Sequence, residues 1–313
     1  MTRHPVRMLG GIVILLTLVI AAACGDGSGS EPNETSQPAG SDGELQAVIT
    51  SSDLAVGPQR FAFVLLLDDN PVSEESIAVR FFKLKDENNP QLVGEGAIPF
   101  SPLGIPGLTT SGSELTGVYY ANVTFDEPGK WGAGFTVGPQ ADPEREIRVG
   151  FEVLPEPQTV GAGEKAIPAD NPTLADAPLK QIDTSSEPDE AFHQLSISQA
   201  LANDKPSVIA FATPSFCETR TCGPTMEIVG AAYDKFGDKV NWVHVEPFKL
   251  DEDGNLLMSN GNRVNSDAAN AWGLPSEPWV FVVDKDGNVT GRFDGPLTLE
   301  EIDFQLTQLT STP

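Results

Sequence analysis

The sequence predicts two folded regions of different class, an all-β sandwich followed by an α/β domain. Three observations lead there. Over residues 44–155, short apolar or alternating runs recur between turn signals, the pattern of packed antiparallel strands. Over residues 190–313, strand-like and helix-like segments alternate, and parallel strands need helical crossovers of that kind. Between them, residues 156–189 hold Pro157, Pro168, Pro172, Pro178 and Pro188 without sustained periodicity, which reads as a linker.

The N-terminal residues 1–23 read as an export signal, with Arg3 and Arg7, an apolar stretch from Met8 to Ile20, and small residues up to Cys24. The run Ala21-Ala22-Ala23-Cys24 resembles a bacterial lipoprotein processing site. That resemblance implies that Cys24 becomes the lipidated first residue of the mature chain; the alternative is an ordinary cleaved signal. The apolar run is shorter than the roughly 20 residues a spanning helix needs. The expected location is the bacterial cell envelope, exported and lipid-anchored to a membrane on its periplasmic or extracellular face. Residues 24–43 are mostly Gly, Ser, Pro, Asn and Glu; they bury too little to offset ordering entropy and read as a flexible tether.

Six runs carry the β reading of the next region: 45–50, 60–67, 77–83, 117–124, 131–137 and 147–153. About six or seven strands in roughly 110 residues suit an immunoglobulin-like sandwich. The stretch from Tyr119 to Val137, bending before Trp131, resembles bacterial envelope sandwich domains, copper-tolerance ones among them. Copper needs soft or imidazole ligands, and the region has no Cys, His or Met. It reads as a spacer or protein-binding module, with Trp131 in its core.

In the C-terminal region, Ser196 caps a short helix. Residues 207–212 form a β-branched, apolar strand, and the turn after it holds two of the chain's three cysteines, Cys217 and Cys222, at C-x4-C spacing. Met226, Ile228, Val229, Ala232 and Tyr233 then recur at helical spacing, with Pro224 where a first turn tolerates it. Residues 239–245 alternate as a strand parallel to the first. A polar insertion (251–265), a short helix (266–272), a loop at Pro278, a hairpin turning at 284–288 and a final helix (299–309) complete the order. Five residues along a continuous helix would set the cysteines about 140° apart. They can bridge only if Cys217 lies in the loop and Cys222 at or just before the helix start.

Phe216-Cys217 and Cys222-Gly223-Pro224 resemble the active-site turn of the thioredoxin family. The stretch from Trp272 through Pro278 to Val289 resembles that family's cis-proline loop and hairpin. The family spacing is C-x2-C, whereas four residues intervene here. The resemblance implies a thioredoxin-like α/β domain that exchanges disulfides with exported proteins, with Cys217 as nucleophile, Cys222 as resolving thiol and a cis bond before Pro278. Arg220 in the loop and Glu277 beside Pro278 are expected modulators, the first favouring a thiolate, the second raising its pKa or accepting its proton. The alternative is a non-catalytic binding or scaffold lipoprotein in which Cys217–Cys222 staples the turn, contributing about 2 kcal/mol. Copper-assembly proteins of the Sco type use C-x3-C and a histidine in the late loop. The loop 274–278 has none, His244 reads as a packed strand residue and His193 carries no assignment. No metal and no cofactor are expected.

A length of 313 residues with 39% hydrophobic content suffices for two cores. The net charge of −26 excludes nucleic acid as a partner, since binding it requires a basic footprint. The expected partners are thiols or disulfides of exported proteins, and the membrane through the lipid.

Overall fold

The computed structural model describes residues 45–85, 89–105, 115–219 and 221–311. These belong to one compact unit, Gly43–Pro313. The export signal, Cys24 and the tether lie outside the described residues, as does Arg220.

The unit begins with eight strands: β1 (Leu45–Ile49), β2 (Gly57–Leu67), β3 (Asn70–Val72), β4 (Ser76–Lys83), β5 (Gln91–Pro102), β6 (Gly117–Phe125), β7 (Gly129–Val137) and β8 (Ile147–Val153). They form one antiparallel sheet in the order β1-β2-β6-β5-β4-β7-β8, with β3 paired to β2. β5 makes the sheet continuous. Most of it pairs with β4, and its last residues, Phe100, Ser101 and Pro102, pair with β6. The ends of the path also meet: the Leu154 N–H donates to the Leu54 carbonyl and the Val56 N–H to the Leu154 carbonyl. The sheet is nearly closed on itself. Aromatic side chains fill it, with Phe63 stacked on Tyr119 at 4.9 Å and Phe61 edge-on to Phe81 at 5.0 Å; such rings dominate core burial. Trp131 lies in this core, as expected.

This corrects the immunoglobulin-like sandwich. Two separate packed sheets are not formed, because β5 bridges what would be their edges. β5 is mostly exposed and carries Gly94, Glu95 and Gly96 among its residues, so it lacks the apolar run that marks a strand in sequence.

The rest of the unit starts with an extended segment containing two 3-10 turns, Leu179–Gln181 and Glu190–His193. α1 (Ile197–Leu201) follows, opened by a Ser196–Gln199 capping box. Next come β9 (Ser207–Phe211), α2 (Cys222–Phe236), β10 (Asn241–Val245), a two-stranded ribbon of β11 (Met258–Ser259) and β12 (Asn262–Arg263), and α3 (Asp267–Trp272). β13 (Trp279–Val283), β14 (Val289–Asp294) and α4 (Leu299–Thr310) end the chain. The sheet order is β10-β9-β13-β14. β9, β10 and β13 are buried at every position; this explains the apolar runs of β9 and β13, whereas β10 also buries Asn241 and His244. Val208 and Ala210 pack with α2 and α4, whereas Ile209 and Phe211 pack with α1 and α3.

The expected α/β thioredoxin-like domain is withdrawn. Among the described residues, strand makes up 39% against 19% helix. In the smaller sheet only β9 and β10 are parallel, while β13 runs antiparallel to β9 and β14 to β13. The helices beside it are few, and α1 and α3 span 5 and 6 residues. The result is a mixed sheet attached to a larger antiparallel one, and ion pairs join the two: Arg60 to Glu301 and Arg292 to Asp53.

The cysteine turn and a buried histidine cluster

The chain leaves β9 at Phe211 and enters α2 at Cys222, so both cysteines stand where strand hands over to helix. They form a disulfide with Cα atoms 6.0 Å apart. The geometric requirement read from the sequence is met, with Cys217 in the loop and Cys222 the first residue of α2. The two are unequal. Cys222 is sealed in the core with Val208, Ala210 and Met226, while Cys217 is partly exposed. The Cys222 N–H points at Cys217 Sγ at 3.2 Å, and the Thr219 hydroxyl lies 3.3 Å from the same sulfur. Free N–H groups in a first helical turn carry partial positive charge and favour an anionic sulfur.

The loop is fastened to the segment before β13. The Thr219 hydroxyl donates to the Glu277 carbonyl at 3.2 Å, and the Glu218 N–H to Glu277 Oε1 at 3.4 Å. The Glu277–Pro278 bond is cis, as the sequence suggests. Burial pushes the Glu277 carboxyl up from its ordinary range; the Glu218 charge adds to this, while the Glu218 N–H and Arg263 oppose it. Arg263, on β12, stands 3.7 Å from Glu277 Oε1 and 3.2 Å from Glu218 Oε1. It also lies over the Phe248 ring at 5.0 Å. The structure thus brings Cys217, Cys222, Glu277 and Pro278 into one neighbourhood and adds a cation that sequence reasoning missed. Arg263 sits in a polar insertion without periodicity, where nothing in the sequence ties it to the turn.

Neither a protein-family model nor a curated protein matches this chain. What the turn can do rests on its own geometry.

A second cluster borders the turn. Asp183, His193 and His244 are all buried, at 5%, 0% and 1% exposure. Asp183 follows the first 3-10 turn, His193 ends the second, and His244 lies within β10. Asp183 Oδ2 is 2.9 Å from His193 Nε2 and 3.4 Å from His244 Nδ1. His244 Nε2 is 3.0 Å from the Ala212 carbonyl, at the start of the cysteine turn. Glu246 accepts from the Thr184 N–H at 2.7 Å through Oε1, and the Thr184 and Thr213 hydroxyls also interact with its carboxyl. Burial alone would raise the Asp183 pKa, but the two imidazoles hold it far below the carboxylate range. Burial lowers that of His193, whereas beside His244 the Asp183 charge outweighs burial and raises it. Burial also raises the Glu246 carboxyl. Sequence reasoning missed this cluster because residues 183, 193 and 244 share no metal-like spacing. The one available signal was scarcity: the chain has three histidines, and two of them meet here.

Proposed function

We propose that the chain is a lipid-anchored cell-envelope protein that exchanges disulfides with exported proteins through Cys217 and Cys222. The asymmetry of the pair carries this reading: Cys217 is partly exposed with the Cys222 N–H 3.2 Å from its sulfur, and Cys222 is fully buried. An attacking thiol needs access and a stabilised thiolate, and a resolving thiol needs neither. In the reduced protein, the Cys217 thiolate attacks one sulfur of a substrate disulfide. That bond breaks, its other sulfur leaves as a thiolate and takes a proton, and a mixed disulfide joins Cys217 to the substrate. Cys222 then gives up its proton and attacks Cys217 Sγ, which closes the protein disulfide and releases a substrate dithiol. Two electrons pass from protein to substrate, and the reverse sequence oxidises a substrate dithiol. The Cys222 N–H stabilises charge on Cys217 Sγ, and Glu277 holds the loop through its carbonyl and carboxylate. A lipid on Cys24 and the tether that follows keep the chain at the membrane.

The test is trapping. Cys222→Ser should accumulate mixed disulfides through Cys217, and the reduced protein should alkylate faster at Cys217 than at Cys222. The couple should have a potential between about −270 and −120 mV, the range of exchange proteins, whereas structural bridges lie below about −300 mV. A bridge that resists dithiothreitol in the folded protein, traps no partner and changes only thermal stability would identify a staple instead. Incorporation of labelled fatty acid, lost in Cys24→Ser, reports the anchor separately.

A further inference from the structure

We propose that Asp183, His193 and His244 form a buried binding site for one divalent transition-metal ion of the zinc class. One ligand atom from each residue lies within 4.8 Å of the other two. An ion bound at about 2 Å to three donors in tetrahedral geometry holds them a little over 3 Å apart. Two of the separations here, 2.9 and 3.4 Å, bracket that value. Two imidazole nitrogens and a carboxylate oxygen suit zinc, and copper(II) next.

His244 is the deciding residue. The Ala212 carbonyl can only accept, so the proton of the neutral ring sits on Nε2, and Nδ1 presents a lone pair. In that form the lone pair faces Asp183 Oδ2 at 3.4 Å, and two electron-rich atoms so placed need a cation between them, a proton on Nδ1 or a metal ion. Metal-bound histidines characteristically donate their other ring N–H to a carbonyl or carboxylate, and the His244–Ala212 contact has that form. Glu246 lies two residues beyond His244, on the same face of the extended chain, and adds a further buried carboxyl beside the three ligands. An open groove of about 410 Å³ leads to Asp183 between Ser185, Glu187, Asp189, Pro214 and Glu227. Its acidic lining would concentrate cations at the entrance. The site uses neither cysteine and is independent of the exchange reaction.

The experiment uses the full chain with its disulfide oxidised, and in parallel the Cys217→Ser/Cys222→Ser chain, so that the thiolates of that pair cannot supply the ligands. After chelator treatment each is dialysed against Zn²⁺, and retained metal is counted by mass spectrometry. Co²⁺ serves as a spectroscopic probe. One ion per chain and the visible absorption of four-coordinate Co²⁺ are expected in both. Asp183→Asn and His193→Gln should each weaken Zn²⁺ binding at least tenfold. Nitrogen NMR of the unsubstituted chain covers the case of a variant that fails to fold, with Zn²⁺ expected to shift His193 Nε2 and His244 Nδ1 and to leave His244 Nε2 protonated. No retained ion in the oxidised chain, or unmoved imidazole resonances on Zn²⁺ addition, would overturn the site and leave a proton as the cation between His244 and Asp183. Equal retention by the folded variants would overturn it too.

Discussion

Asp294, the last residue of β14, accepts hydrogen bonds from the N–H and hydroxyl of Ser52 and from the Ser276 hydroxyl. Burial outweighs them and pushes its carboxyl up to about 6. In the unfolded chain the same group titrates near 3.9. The folded protein therefore binds this proton more tightly, so the group adds stability that is fully present below about pH 4 and is lost as pH rises through 6. Between pH 4.5 and 7.5 the loss should be about 2 kcal/mol. Urea unfolding at the two values measures it, and Asp294→Asn should remove that part of the pH dependence while its amide oxygen still accepts from Ser52. Parallel pH profiles for the two proteins would show that Asp294 titrates normally.

The near-closed sheet depends on β5 reaching both β4 and β6, and Gly117 lets it do so. A Cβ on Gly117 would stand 2.4 Å from the Ser101 carbonyl oxygen and 2.4 Å from the Phe100 ring. Backbone at that distance cannot swing aside. Gly117→Ala should therefore cost about 1–3 kcal/mol, as overpacking does, with loss of amide protection centred on the β5–β6 junction. An unchanged denaturation midpoint would mean that the junction is not closely packed. The sequence reading reached β1, β2, β4 and β6–β8 because their apolar residues alternate or run together. It missed β5, which is glycine-rich and exposed, and so took one sheet for two. The cysteine turn is readable because Pro224 and the helical spacing from Met226 onward are local signals for a helix start at Cys222. The Asp183 cluster was not, because the segment carrying Asp183 has neither period and derives its structure from distant partners: Asp183 from His193 and His244, Thr184 from Glu246.

The two sheets are joined by charges from opposite ends of the sequence. Arg60 on β2 grips Glu301 on α4 through Nε at 2.6 Å and Nη2 at 3.0 Å, and Nη2 also donates to the Pro296 carbonyl at 2.8 Å. The side chains are 10% and 8% exposed. Removing one partner from such a pair strands a buried charge and costs about 3–5 kcal/mol. Arg60→Met and Glu301→Gln should each destabilise by that order, and the double substitution by clearly less than their sum. Strict additivity in the cycle would show that the pair is not coupled. Asp53 adds a second tie: its carboxylate pairs with Arg292 and accepts from the Gln158 N–H at 2.9 Å and the Thr159 N–H at 3.1 Å.

The Arg60–Glu301 contact spans 241 positions of the chain. Synthesis delivers a polypeptide from its N-terminus, so Arg60 emerges long before the carboxylate that neutralises it. Contacts between such distant positions form slowly, because the intervening loop must close before they contribute. Until α4 is released, β2 carries an arginine without the carboxylate that pairs with it. The nascent protein thus has an interval, set by its own length, in which its first sheet is open to chaperones, proteases and wrong neighbours. Its last twelve residues of helix end that interval.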